Sequence, residues 1–290
     1  MVGPTASGKT SLAIEVARRM DAEIISVDSM QVYRGMDIGT AKPTIVERKG
    51  VTHHMIDVAD PEDEFSVAEF RRMARQIIAG SSGPLIVTGG SGLHFRAVVD
   101  PMSFAPTDAS LRAELEGKAL DELVDELAAV DEGAGRVVDL SNKRRVVRAV
   151  EIYRLTGETP SRRATSAEAD DVARYVPELV FTAVGVDAGE KLEQRVDQRI
   201  GEMRAGGLVD EVRGLRGRLG RTAAAAVGYT EILEFLAGRC EEEQAFQAIG
   251  RNTRKLAKRQ RTWFQRDPRI HWIPWDTPEA RVERVMELLT

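Results

Sequence analysis

The stretch that most constrains the fold lies at the front. Gly3-Pro4-Thr5-Ala6-Ser7-Gly8-Lys9-Thr10 runs into Leu12, Val16 and Met20, which recur at helical spacing. The segment matches the phosphate-loop pattern G-x-x-x-x-G-K-[ST] in full. Its glycines let successive backbone N–H groups converge on phosphate oxygens, and the helix that follows adds the positive end of its dipole. Lys9 supplies a mobile cation, and the Thr10 hydroxyl is placed to ligate Mg2+. The motif predicts phosphate binding, but names neither the molecule that carries the phosphate nor the bond that breaks. A loop of this kind normally follows a buried strand, and here only Met1 and Val2 precede Gly3. The chain is therefore read as starting downstream of its true beginning.

Strand and helix signals alternate after the loop. Glu23 to Val27 is a short β-branched run ending at Asp28, and Pro84 to Gly90 is a second that opens into a glycine turn. Gln31 to Pro43 reads as an ordered loop, and Val67 to Ala79 as an amphipathic helix. Alternation of this kind predicts an α/β fold, a P-loop core with a parallel sheet flanked by helices. From Pro101 to about Tyr175 the sequence is helical, charged and free of strand signals. We therefore divide the chain into a first part of the core (1–104), a helical insertion domain (105–175) and a second part of the core (176–290). The second part holds a strand at Leu179–Asp187, helical stretches at 188–217 and 241–265, and a late edge strand at His271–Trp275 that Pro274 interrupts.

With 42% hydrophobic and 30% charged residues, 290 residues are ample for a packed core and do not suit a disordered chain. No apolar run approaches the ~20 residues needed to span a bilayer, and no signal-peptide pattern opens the chain. Cys240 is the only cysteine, which excludes an internal disulfide and fits the reduced cytoplasm. The four histidines, His53, His54, His94 and His271, show no metal-ligand spacing.

Three further features bear on chemistry. Asp28 ends a predicted parallel strand, the edge that lines ligand crevices in open α/β sheets. It could serve as a general base, a Mg2+ ligand or a turn cap. Ser91 follows Gly89-Gly90 on the same edge, where a turn-forming serine is the plainer reading. Two basic clusters stand out against a net charge of −5: Lys143, Arg144, Arg145 and Arg148, and then seven cations without an acid from Arg251 to Arg266. The apolar side of that last helix (Phe246, Ile249, Leu256, Trp263) separates from its basic side, which points to contact with a nucleic-acid backbone. Trp263 and Phe264 are read as core.

These pieces together resemble the bacterial tRNA dimethylallyltransferases, or tRNA isopentenyltransferases, over nearly the whole chain. The resemblance is carried by GPTASGKT, SVDSMQVYRGMDIGTAKP, HHMIDVADP, FSVAEF, GGSGLHF, NKRRVVRAVEIY, AVGYTE and TRKLAKRQRTWF. It implies transfer of a dimethylallyl group from its diphosphate to N6 of the adenine beside the anticodon, with Mg2+ held at Thr10; separately, the chain is expected to be a cytoplasmic monomer. The loop from Gly3 to Thr10 would hold the isoprenoid diphosphate with Arg199 as a further contact and Arg195 as a weaker one. Thr10, Asp28, Ser91 and Arg199 would be the catalytic residues, with Asp28 the base. Ser91 stands where the family usually has Thr, and His94 where it more often has Tyr. Contacts to the tRNA anticodon stem-loop carry over to Asp28, Ser29, Met30, Gln31, Ser91, Arg112, Arg144, Arg145, Val146, Val147 and Arg148. They extend to Ala225–Thr230, which includes Val227, Gly228 and Tyr229, and to Arg254, Lys258 and Arg261 on the basic helix. The adenine would leave its stack to reach Asp28. Three rival readings use the same loop: an isopentenyltransferase acting on free adenine nucleotides, a P-loop kinase of a small metabolite, and a non-catalytic RNA-binding module. The first has no need of the basic clusters, the second would need ATP turnover and a lid-like arginine pattern that the sequence does not display, and the third has no use for Lys9, Thr10 and Asp28 together.

Overall fold

A computed structural model describes residues 1–289. The chain divides into two compact units, Met1–Val99 with Val180–Thr290, and Asp100–Leu179.

The first unit is a layered α/β core. After the phosphate loop, helix α1 (Lys9–Met20) buries Leu12, Ala13, Val16 and Ala17. Asp21 then takes a left-handed conformation that turns the chain into strand β1 (Glu23–Ser26). A short strand β2 (His53–His54), helix α2 (Val67–Gly80), strand β3 (Leu85–Thr88) and helix α3 (Gly92–Val99) follow. Ser66 caps α2 by accepting from the Glu69 N–H at 3.1 Å. Strands β2, β1 and β3 form one parallel ladder in that order. After the second unit the core resumes with β4 (Ala183–Val186), whose partner is the late strand β5 (Ile270–Ile273), also parallel.

Val2 lies between the two ladders. It bridges Gly89 beyond β3 on one side and Gly185 of β4 on the other. Its N–H donates to Val184 O and its carbonyl accepts from Val186 N–H, both at 2.8 Å. The position expected of a strand before the phosphate loop is thus central, and all parallel strands end toward that loop.

The second unit is all helix among the described residues: α4 (Ala109–Gly117), α5 (Leu120–Val130), α6 (Lys143–Thr156), α7 (Pro160–Ala164) and α8 (Ala167–Ala173). Leu115, Leu123, Leu127, Val146, Val147 and Val150 make its own core. Helix α6 starts at Asn142, whose side chain accepts from Arg145 N–H, and stops at Gly157 in a left-handed turn.

Back in the first unit come α9 (Leu192–Ala205), α10 (Leu208–Leu215), α11 (Arg221–Ala224), α12 (Tyr229–Leu236), α13 (Glu242–Gln265) and α14 (Pro278–Leu289). The expected helical stretch over 188–217 is broken between α9 and α10 because Gly207 takes φ +91°, a conformation few other residues tolerate. The apolar stripe of α13 is buried at Phe246, Ile249 and Phe264. Trp263, read as core from the sequence, is 45% exposed. Its indole instead covers Gly92 so closely that a Cβ there would sit 2.1 Å from the ring.

Candidate active site

A cavity of about 120 Å³ opens at the carboxyl ends of the parallel strands. Lys9, Thr10, Asp28, Met30, Gln31 and Arg199 line it, with Thr88 and Gly89 from the end of β3 and Thr253, Leu256 and Gln260 from α13. A second hollow of about 380 Å³ shares Lys9, Thr10 and Arg199 and is walled by Gly8 and Arg195.

Asp28 sits just past β1. Its Oδ1 accepts from the Met30 N–H at 2.9 Å and the Gln31 N–H at 3.4 Å, a turn built by the side chain on its own backbone. The cap role and the chemical role weighed for this residue therefore coexist, because Oδ2 carries no hydrogen bond among the described residues. Asp28 shares its cavity with two cations. Burial pushes the Lys9 ammonium down to about 8, which the Asp28 carboxylate opposes and the Arg199 guanidinium reinforces. Burial likewise pulls Arg199 below its ordinary range, against the pull of Asp28. Lys9 Nζ donates to Pro4 O at 3.2 Å and Arg199 Nη2 to Thr40 O at 3.3 Å. Both cations thus hang on single carbonyls at long range, which leaves most of their donors for an anion.

The loop after Asp28 is held from beneath. Buried Lys42 donates to Tyr33 O at 2.8 Å and to the carboxylates of Asp37 and Asp57, each at 2.6 Å. Glu211 of α10 accepts from the N–H groups of Asp37, Ile38 and Gly39 and from the Tyr229 hydroxyl. Gln31 is fixed through Ser26 and the carbonyls of Thr40 and Ala41. Tyr229 is fully buried. Its ring fills the space against Gly39, where a Cβ would lie 2.4 Å away. It supports the loop, and Gly228, with φ +99°, turns the chain into α12.

Ser91 does not line the cavity. Its hydroxyl is 2.7 Å from His94 Nδ1, and its N–H donates to Val27 O at 3.2 Å. His94 is buried, which lowers its imidazole to about 4 although Asp28 opposes the shift, so it is neutral at pH 7. Among the described residues no three His, Cys, Asp or Glu side chains converge as a metal site.

The structure sorts the remaining expected contacts. In the second unit Arg112 Nη2 and Arg148 Nη1 both bind the fully buried Glu151, at 2.6 and 2.7 Å, and Arg148 also donates to the carbonyls of Ala105 and Pro106. Arg112 thereby ties α4 to α6, and Arg148 ties α6 to the segment that leads into α4. Val146 and Val147 are core. Arg144 and Arg145 are exposed and rim an apolar hollow of about 630 Å³ with Val137, Ile152 and Pro160. On α13, Arg254 is paired with Asp197, and Arg261 Nη2 with Asp187 at 2.6 Å. Arg251, Lys255, Lys258, Arg259 and Arg266 are exposed and carry no ion pair among the described residues. In the stretch from Arg254 to Arg261 that the resemblance picked out, Lys255, Lys258 and Arg259 are thus the bare cations, and Arg254 and Arg261 are paired.

Gln260 is the site residue that the sequence pattern hid. Its Oε1 accepts from the Thr5 N–H of the phosphate loop at 2.8 Å. A lone glutamine among seven cations has no spacing signal, and only the packing of α13 against the loop reveals it.

Residues 31–267 match the family described as IPP transferase. A tRNA dimethylallyltransferase of Thermobifida fusca is 43% identical over the whole chain and 93% of its own length. One of Streptomyces avermitilis is 44% identical over 94% of this chain and 88% of its own. The structure resembles a crystallised tRNA isopentenylpyrophosphate transferase of Bacillus halodurans at 35% identity and a TM-score of 0.72, covering 99% of this chain and 93% of that one. The likeness to the Staphylococcus epidermidis enzyme is similar, at 32% and 0.71 over 99% and 96% of the two chains. With a phosphate loop, a carboxylate and two cations on one cavity, and kinship over its full length, this chain belongs to the IPP transferase family.

Proposed function

We propose that the chain transfers a dimethylallyl group from dimethylallyl diphosphate to N6 of the adenine beside the anticodon of a tRNA, releasing diphosphate. The observation that carries this reading is the sharing of one cavity by Lys9, Thr10, Asp28 and Arg199. Three of these suit an anionic leaving group, and the fourth suits a proton.

In this reading the diphosphate lies on the amides of Gly3 to Thr10. Lys9 and Arg199 gather the negative charge that grows as the allylic C–O bond breaks. The adenine N6 lone pair forms the new C–N bond. Asp28 accepts the proton lost from N6 on Oδ2 while Oδ1 keeps the turn. The Thr10 hydroxyl, at the start of α1 and without a hydrogen bond among the described residues, would hold a Mg2+ ion, which would supply further charge neutralisation at the leaving group. Ser91 belongs behind this arrangement, its hydroxyl committed to a neutral His94. The anticodon stem-loop is assigned to the bare cations of α13. Among the described residues no helix is long and apolar enough to cross a membrane, and a cytoplasmic location follows from the substrate.

The test mixes protein and Mg2+ with dimethylallyl diphosphate and an anticodon stem-loop RNA, AMP or ATP in parallel, and reads product by nucleoside mass. Prenylated adenine in the RNA tube alone supports the reading. Product on a free nucleotide refutes the RNA substrate, and phosphoryl transfer from ATP would install the kinase reading instead.

A further inference from the structure

Two arginines lie against the outer side of the phosphate loop with no acid to balance them. Arg195 of α9 donates Nε–H to the Ala6 carbonyl at 2.6 Å. Arg281 of α14 donates Nη2–H to the Ser7 carbonyl at 3.2 Å. Both guanidinium groups stack on the Trp275 ring, 5.0 and 4.5 Å from its centre. A Cβ on Gly8 would lie 3.3 Å from Arg281 Nη1 and 3.5 Å from Arg195 Nη2, so both groups reach the loop where it has no side chain. Arg281 is only 6% exposed, and its Nε has no hydrogen-bond partner among the described residues. Among the described residues neither arginine meets a carboxylate. The charge that acts most on Arg281 is that of Arg195, which repels it.

This arrangement is unfavourable by itself. A buried cation with no counter-charge, beside a second cation, is destabilising unless an anion is close. The nearest place for one is the other side of the loop. In a trans peptide the carbonyl and the following N–H point in opposite directions. The Ala6 carbonyl shares its peptide with the Ser7 N–H, and the Ser7 carbonyl shares its peptide with the Gly8 N–H. A charged donor on each carbonyl therefore turns those N–H groups inward and polarises them. At present the Ser7 N–H has only the Pro4 carbonyl, at 3.4 Å.

We infer that Arg195 and Arg281, held on Trp275, form a cationic brace that aims the Ser7 and Gly8 amides at the donor's diphosphate and is charge-balanced when the diphosphate binds. The inference rests on the proposed function for the identity of the donor. Neither Trp275 nor Arg281 falls within the stretch that matches the family. Both are positioning residues, since neither is placed to touch the substrate.

The test is Arg281→Met, with inorganic pyrophosphate as the binding probe. Isothermal titration and the pyrophosphate-induced rise in Tm read binding, and steady-state kinetics read turnover. The brace predicts that KM for dimethylallyl diphosphate rises about tenfold, the scale of one charge-assisted hydrogen bond. Affinity for pyrophosphate falls equally, kcat falls by less, and KM for the RNA does not move. The ligand-free variant should melt no lower than the parent, since a repulsive pair has been removed. Unchanged donor KM and pyrophosphate affinity would overturn the inference. So would a lower ligand-free Tm together with lower kcat at unchanged donor KM, the signature of a merely structural arginine. Arg281→Lys keeps the charge but loses the fork and the flat stack, and should fall between parent and Arg281→Met. Trp275→Leu leaves both charges in place but unheld, and provides the same readout if Arg281→Met does not fold; unchanged pyrophosphate affinity there also overturns the brace. If the parent prenylates nothing yet binds pyrophosphate in an Arg281-dependent way, the proposed function fails and the brace stands.

Discussion

Asp28→Asn separates two jobs that one side chain performs. Asparagine keeps an oxygen on the same atom, so the bonds to the Met30 and Gln31 N–H groups survive and the loop after β1 holds its course. What is lost is the negative charge and the second oxygen's ability to take a proton. General-base contributions run to about 10²–10⁴-fold in rate, or ~3–5 kcal/mol of barrier. With the fold retained, kcat for prenyl transfer to an anticodon stem-loop should drop within that range, while RNA affinity changes little. Asp28→Ala should lose as much turnover and also lower Tm, because it removes the turn. A second signature is independent of rate. Among the described residues, the Asp28 carboxylate is the charge that holds the Lys9 proton on against burial. In Asp28→Asn the alkaline limb governed by Lys9 must therefore move to lower pH. The assay measures kcat and donor KM from pH 6 to 9.5 by nucleoside mass spectrometry. A variant with kcat within tenfold of the parent, or one whose alkaline limb stays in place, refutes the reasoning.

In the proposed reading Lys9 binds the donor as a cation, and burial lowers the ammonium of the unliganded protein to about 8. Donor KM should accordingly be flat below pH 7.5 and climb as pH rises through 8, and Lys9→Arg should erase that climb. Replacing Lys255, Lys258 and Arg259 with Ala should reduce the slope of log K against log salt for RNA binding by about 2–3, roughly 0.7–0.9 per cation. The same change at Arg254 and Arg261 should do less, as both already have carboxylate partners. Glu151→Gln places an amide where two guanidinium groups expect a carboxylate, which should destabilise the protein by about 3 kcal/mol. Burial acts to raise the Glu151 carboxyl, but the hydrogen bonds of Arg112 and Arg148 outweigh it and hold it below its ordinary value. The stabilisation is thus present at neutral pH and is lost as pH falls below about 4.5 toward the folded value, so parent and variant should converge in acid denaturation.

The elements that could be read from the sequence are those whose local signals agree with their surroundings. The phosphate loop, α1, β1, β3 and α13 combine strong periodicity with clear ends. The place of Asp28 at the strand edge followed from the same logic. Paired residues were the hidden part. Arg112 and Arg148 look available for RNA in sequence, because nothing local shows that Glu151 lies buried between them. Arg254 and Arg261 look equally bare until Asp197 and Asp187 arrive from other segments. Val146, Val147 and Tyr229 sit inside motifs shared with the family, yet their burial makes them supports. Motif membership marks a neighbourhood, and only packing distinguishes the residues that face a ligand from those that hold them. Gln260 and Arg281 make the converse case, since both act on the phosphate loop across more than 250 positions.

The bond from Gln260 to Thr5 has a practical consequence. Helix α13 offers bare cations to solvent and, through this one side chain, holds a backbone proton of the phosphate loop. The Thr5 amide is therefore a built-in reporter that listens to both ends of the reaction. In an amide-resolved NMR spectrum its ¹⁵N–¹H signal should shift when pyrophosphate enters the loop. It should shift again, from the opposite side, when RNA draws on the helix, and Gln260→Leu should silence the second response while sparing the first.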